Sequence, residues 1–98
     1  MARIWTHGVW TVKPGREEEF VRAWNELARD ALTEFTPAGA AYLLRDRERP
    51  NVFRSFGPWD SIETVEGFRA KIAPRLAAMQ ELLESFEPFT LDEAATIG

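Results

Sequence analysis

Phe56-Gly57-Pro58-Trp59-Asp60-Ser61-Ile62-Glu63-Thr64-Val65-Glu66-Gly67-Phe68-Arg69 is the stretch on which the fold turns. It reads as the end of a strand, one large aromatic at a hinge, and the opening of a helix. Gly57 and Pro58 close a hydrogen-bonded ladder, because proline has no amide proton to give it. Asp60 suits a helix N-cap, and Glu63, three residues on, is placed to reach back to the cap amide as a capping box. Trp59 stands where sheet meets helix. A ring of that size there either plugs the core or walls a pocket, and function depends on which.

Upstream of this stretch, residues 52–59 read as a strand and residues 40–46 as another. Glu48-Arg49-Pro50-Asn51 has turn composition, so the two strands pair as a hairpin, with Tyr42 and Leu44 on one face. Before them Phe20, Trp24, Leu27, Ala28, Ala31 and Phe35 recur at helical spacing with charged residues opposite. Glu17, Glu18 and Glu19 suit the first turn of that helix, Gly15 is an acceptable cap, and Thr36-Pro37-Ala38-Gly39 ends it. Residues 3–12, rich in β-branched and aromatic side chains, form a first strand. Ile4, Thr6, Gly8, Trp10 and Val12 lie on one face, and Trp5, His7, Val9 and Thr11 on the other. Neither face is clearly polar, so both need cover. Gly8 in the middle marks a bulge or a close approach by another group.

Downstream, the capped helix spans about 61–71, and Pro74 fits the first turn of a further helix. Its stripe is Ile72, Leu76, Met79, Leu83 and Phe86, and Glu87-Pro88 stops it. Phe89 and Leu91 alternate with Thr90 and Asp92, which suits a last strand within 89–97. The order β-α-β-β-α-α-β is the split βαβ, or ferredoxin-like, α+β arrangement: a four-stranded antiparallel sheet with its helices on one face. A second copy is the simplest cover for the other face, giving a homodimer whose two sheets close into a dimeric α+β barrel.

Composition narrows the function. Ninety-eight residues make one domain, 1–98, with a modest core. Four Trp, seven Phe and one Tyr are a heavy aromatic load, which a partner subunit or a ligand would help to cover. A net charge of −4 argues against nucleic acid. Arg45, Arg47, Arg49 and Arg54 are interrupted by Asp46 and Glu48 and read as a solvated hairpin tip. With no cysteine and one histidine, disulfides, thiolate metal sites and cysteine nucleophiles are excluded, and no metal is expected. Met1-Ala2-Arg3-Ile4-Trp5-Thr6-His7 lacks a signal-peptide core and no stretch has the length to span a bilayer, so no membrane role and a cytoplasmic location are expected.

Three blocks resemble the antibiotic biosynthesis monooxygenase family. They are Val12-Lys13-Pro14-Gly15-Arg16-Glu17-Glu18-Glu19-Phe20 with Trp24, Leu44-Arg45-Asp46 with Pro50-Asn51, and Phe56 to Ser61 running on to Phe68-Arg69. The resemblance implies a homodimer with a pocket between sheet and helices in each subunit. It also implies oxidation of aromatic, polyketide-like molecules by dioxygen with no cofactor. Other members degrade haem or act on small lipid-like molecules. Against that pattern, His7-Gly8-Val9 stands where an asparagine is expected late in the first strand, Phe68 replaces a second tryptophan, and the last long helix has no histidine. The haem-degrading mode is therefore disfavoured.

Within that frame Trp59, Phe68 and Trp24 are candidates for an aromatic wall against a flat substrate, with core packing as the competing reading. His7 is the only side chain with an unperturbed pKa near neutrality, a candidate base for a phenol or enol, or else a surface or interface residue. Tyr42 is a candidate donor to a substrate oxygen, or points to water. Arg69 is a candidate for holding a substrate anion, or pairs with Glu66 or Glu63. The leading expectation is a cofactor-independent monooxygenase. Its rivals are a non-catalytic barrel that binds a small hydrophobic molecule, and an isomerase or cyclase on the same fold.

Overall fold

The computed structural model describes residues 3–98; Met1 and Ala2, the start of the segment read for a leader, lie outside it. Strand β1 (Ile4–Val12) is followed by helix α1 (Glu17–Leu32), strands β2 (Tyr42–Arg45) and β3 (Val52–Trp59), helix α2 (Ile62–Met79) and strand β4 (Leu83–Asp92). A 3₁₀ turn, Gln80–Leu82, joins α2 to β4. The strands form one antiparallel sheet in the order β2-β3-β1-β4. This is the expected ferredoxin-like α+β fold.

Strand alternation sorts the sheet into two faces. On the helix-bearing face Trp10 aligns with Phe53 of β3 and Phe86 of β4, and Gly8 aligns with Ser55 and Pro88. Trp10, Val12 and Phe53 there meet Phe20, Leu27 and Ala31 of α1 and Ile72 and Met79 of α2 in one buried cluster. Trp10 stacks on Phe86 at 3.9 Å between ring centroids and tilts against Phe20 at 5.3 Å. On the solvent side Arg75 of α2 pairs with Asp30 of α1, and Lys71 of α2 pairs with Glu34 just beyond the end of α1. Exposed pairs like these contribute little.

Four expectations are corrected. The cap of α2 is Ser61, not Asp60; its backbone is extended and its Oγ accepts from the Thr64 amide at 3.2 Å. There is a single second helix, not two, because Pro74 lies inside α2. Proline removes the hydrogen bond to the residue four back, Ala70. Both Pro74 and Ala70 are exposed, so water can serve the freed carbonyl. The last strand starts at Leu83, with Leu83 and Phe86 on sheet and Pro88 within an edge strand, where a missing amide is tolerated. Helix α1 ends at Leu32, three residues short of Phe35, although the Phe35 amide still bonds the Ala31 carbonyl at 2.9 Å.

Three carboxylates carry local structure. The backbone amides of Arg49 and Glu48 hold Asp46 below its usual range in the β2–β3 turn. Hydrogen bonds from Trp5 and Thr96 do the same for Glu93, and Arg16 does so for Glu19. A folded-state pKa below the unfolded one stabilises above the unfolded value and is lost as protons bind the folded state. The melting temperature is therefore expected to be flat through mildly acidic pH and to fall below about pH 4. Thermal melts against pH check this, and a midpoint that rises on acidification would contradict it.

Candidate functional site

A cavity of about 220 Å³ lies between the helix-bearing sheet face and the two helices. Trp24 and Leu27 of α1 and Phe68 and Ile72 of α2 roof it, and Thr6, Ser55 and Trp59 contribute to its floor. Most of this lining is apolar, as small-molecule pockets usually are.

Trp59 belongs to both core and cavity. It is 2% exposed, packs against Phe68 with ring centroids 4.7 Å apart, and lines the cavity. Its indole Nε1 donates to Thr6 Oγ1 at 3.0 Å, which fixes the ring's tilt across the β1–β3 pair. Trp24, half-buried in the α1 stripe, faces the same space. So does Arg69, which is bound neither to Glu66 nor to Glu63: its guanidinium donates to Thr90 Oγ1 and, at 2.8 Å, to the Phe89 carbonyl. It thereby ties α2 to β4 at the rim. Four of the six side chains singled out from sequence, Trp24, Trp59, Phe68 and Arg69, thus surround one cavity.

Tyr42 and His7 do not join them. Tyr42 aligns with Phe56 on the opposite sheet face and is 54% exposed. His7 aligns with Phe56 and Phe89, also on that face, and its imidazole stacks between their rings at 4.4 and 5.6 Å. Its Nδ1 lies 3.2 Å from the Ser55 carbonyl. His7 borders the cavity, but its ring stacks with Phe56 and Phe89, which strand alternation places on the other side of the sheet. Parity along β1 accounts for this: His7 is an odd number of residues from Trp10, whose side chain enters the core.

Sequence reasoning missed the polar floor. Ser55 Oγ accepts from Trp10 Nε1 at 3.0 Å, and Thr6 Oγ1 accepts from Trp59. Among the described lining residues Arg69 is the one charged side chain that faces the cavity, and no carboxylate lines it. Nor do three His, Asp or Glu side chains gather to hold a metal ion among the described residues. The arrangement is an aromatic slot with hydroxyls at its floor and a cation at its rim. Such a slot can bind a planar molecule and stabilise negative charge on it.

Fold and cavity together define a ferredoxin-like α+β protein with a mostly apolar cavity between sheet and helices. The chain belongs to the antibiotic biosynthesis monooxygenase family, whose sequence model matches residues 4–82. No curated protein matches it in sequence. Among solved structures, a protein from Shewanella oneidensis is 21% identical, with 94% of this chain and 91% of that one covered and a TM-score of 0.81. A conserved protein from Methanosarcina mazei is 16% identical over 95% and 94% of the two chains, with a TM-score of 0.83. A variant of SnoaB, a cofactor-independent oxygenase from Streptomyces nogalater, is 18% identical over 97% and 96%, with a TM-score of 0.83. At these identities the likeness is one of fold.

Proposed function

We propose that this protein is a cofactor-independent monooxygenase that oxidises an aromatic or polyketide-like molecule with dioxygen, as a cytoplasmic homodimer. The observation that carries the reading is the aromatic slot with one cation at its rim, in a chain of this family. A phenol or enol that has lost its proton can pass an electron to dioxygen. One oxygen atom then enters the product and the other leaves as water. Arg69 and the Ser55 hydroxyl on the floor favour the anion, and Trp59 and Phe68 hold its ring plane. With the His7 ring on the other sheet face, the proton goes to solvent, and acidic substrates are favoured.

The homodimer reading is supported by the sheet face without helices. Tyr42, Leu44, Phe89 and Leu91 stand 54, 53, 42 and 43% exposed on it, around the stacked His7. An apolar patch of this kind on one side of a small sheet is what a partner would cover.

One feature favours a second reading. Among the described residues no ionisable base faces the cavity, which suits a barrel that binds a small hydrophobic molecule without transforming it. Oxygen consumption by chelator-treated protein over a panel of anthrones and hydroquinones separates the two. Uptake is expected to survive metal removal and to fall at least about tenfold in Arg69→Gln, the loss of one charge-assisted contact. No uptake anywhere on the panel, with ligand-induced thermal stabilisation still present, would establish the binding protein instead.

A further inference from the structure

We propose that Ser55 is the hydrogen-bond donor that fixes a ligand's oxygen on the cavity floor, and that Trp10 is the positioning residue that aims it. The indole N–H has no acceptor capacity, so in the 3.0 Å contact between Trp10 Nε1 and Ser55 Oγ the serine oxygen accepts. The serine's own proton is not used in that bond, and Ser55 lines the cavity. The second floor hydroxyl is differently placed. Thr6 Oγ1 accepts from Trp59 at 3.0 Å, and its own proton has the Gly57 carbonyl in reach at 3.4 Å. Thr6 is committed within the sheet, whereas Ser55 has a proton left to give.

Gly8 shows how closely this pair is built in. A Cβ there would lie 2.8 Å from Ser55 Oγ and 2.9 Å from both Trp10 Nε1 and Phe86 Cε1, all closer than a Cβ can approach. Glycine within a strand lowers stability. At this position it leaves the space in which indole and hydroxyl meet.

The ligand class follows from the donor and from the size. A hydroxyl proton directed into an apolar slot selects an acceptor oxygen, that is, a ketone, a quinone or a phenolate. At about 220 Å³ the cavity is smaller than the roughly 300–1,000 Å³ of most ligand pockets, which fits one or two rings better than a long polycycle. This assignment rests on the reading that the cavity binds an aromatic molecule.

The test compares 1-tetralone with tetralin, the same two-ring skeleton without the oxygen, by titration of the intact protein and of Ser55→Ala, Ser55→Thr and Trp10→Phe. Wild type is expected to favour the ketone, and Ser55→Ala to lower the ketone-to-tetralin ratio about fivefold, the value of one neutral hydrogen bond. Ser55→Thr restores the preference, and Trp10→Phe, which also alters the cavity lining, lowers the ketone-to-tetralin ratio. In infrared spectra the bound ketone's carbonyl stretch is shifted down in wild type and returns towards its free value in Ser55→Ala. A ketone-to-tetralin ratio identical in wild type and Ser55→Ala overturns the role of Ser55 while leaving the cavity reading intact. Failure of wild type to bind either probe overturns the cavity reading and this assignment with it.

Discussion

Replacing Trp59 by alanine is expected to lower the unfolding free energy by about 3–5 kcal/mol, the range for deleting a large buried aromatic. The ring is 2% exposed, leans on Phe68, and donates its N–H to Thr6, so the substitution opens a void and removes a partner together. Against a total stability of roughly 5–15 kcal/mol for a domain, that is a large share. Trp59→Phe keeps most of the contact area and loses the N–H donor, so a smaller cost of about 1–2 kcal/mol is expected. Urea melts with an unchanged slope and a lower midpoint are the readout. A loss under about 1 kcal/mol for the alanine variant would show that the ring is only a wall of the cavity and not a core residue.

Leu44→Asp combined with Leu91→Asp is expected to convert the proposed homodimer to monomer. Both side chains are about half exposed in the single chain, on the sheet face without helices. Surface substitutions of that kind usually change folding stability by less than about 0.5 kcal/mol each. In a face-to-face dimer the same carboxylates would be buried without partners, at several kcal/mol, and affinity should fall by at least about 100-fold. Light scattering at matched concentration gives the masses. A wild-type protein that is already monomeric would sink the barrel, and an unshifted dimer in the variant would place the interface elsewhere.

Much of the fold was legible in the chain because its elements are strongly patterned. The α1 stripe from Phe20 to Ala31 has a clean helical period, and β3 is bounded by turn chemistry before Val52 and by the Trp59–Ser61 hinge. The second half was harder. Ile72, Leu76, Met79, Leu83 and Phe86 keep helical spacing across a boundary where the chain leaves α2 for β4, so periodicity alone carries the helix too far. Pro74 misleads in the same way: a proline that a new helix would welcome in its first turn is also tolerated mid-helix when the orphaned carbonyl meets water.

The site divides along similar lines. Trp59, Phe68 and Arg69 were recognisable because one hinge and one helix carry them in sequence. His7 was open to correction from parity alone, since the strand position of Trp10 decides which way it points. Ser55 left no local signal. Its importance comes from an indole 45 residues away that arrives only through the β1–β3 register.

That register has a consequence for how the chain acquires its shape. β1 is first in sequence but central in the sheet, and its partners come late: Ile4 aligns with Trp59 on one side and with Asp92 on the other. The β2–β3 hairpin and α1 can form from neighbouring residues, whereas the middle strand must wait for loops of great length to close. Chains dominated by such distant pairings fold more slowly than helical bundles of equal size. On a ribosome β1 would emerge long before β4 exists to flank it, leaving Trp5, Val9 and Trp10 in want of cover. The cavity is then a late product of folding, closed on one side when Phe86 and Pro88 dock beside the strand that was made first.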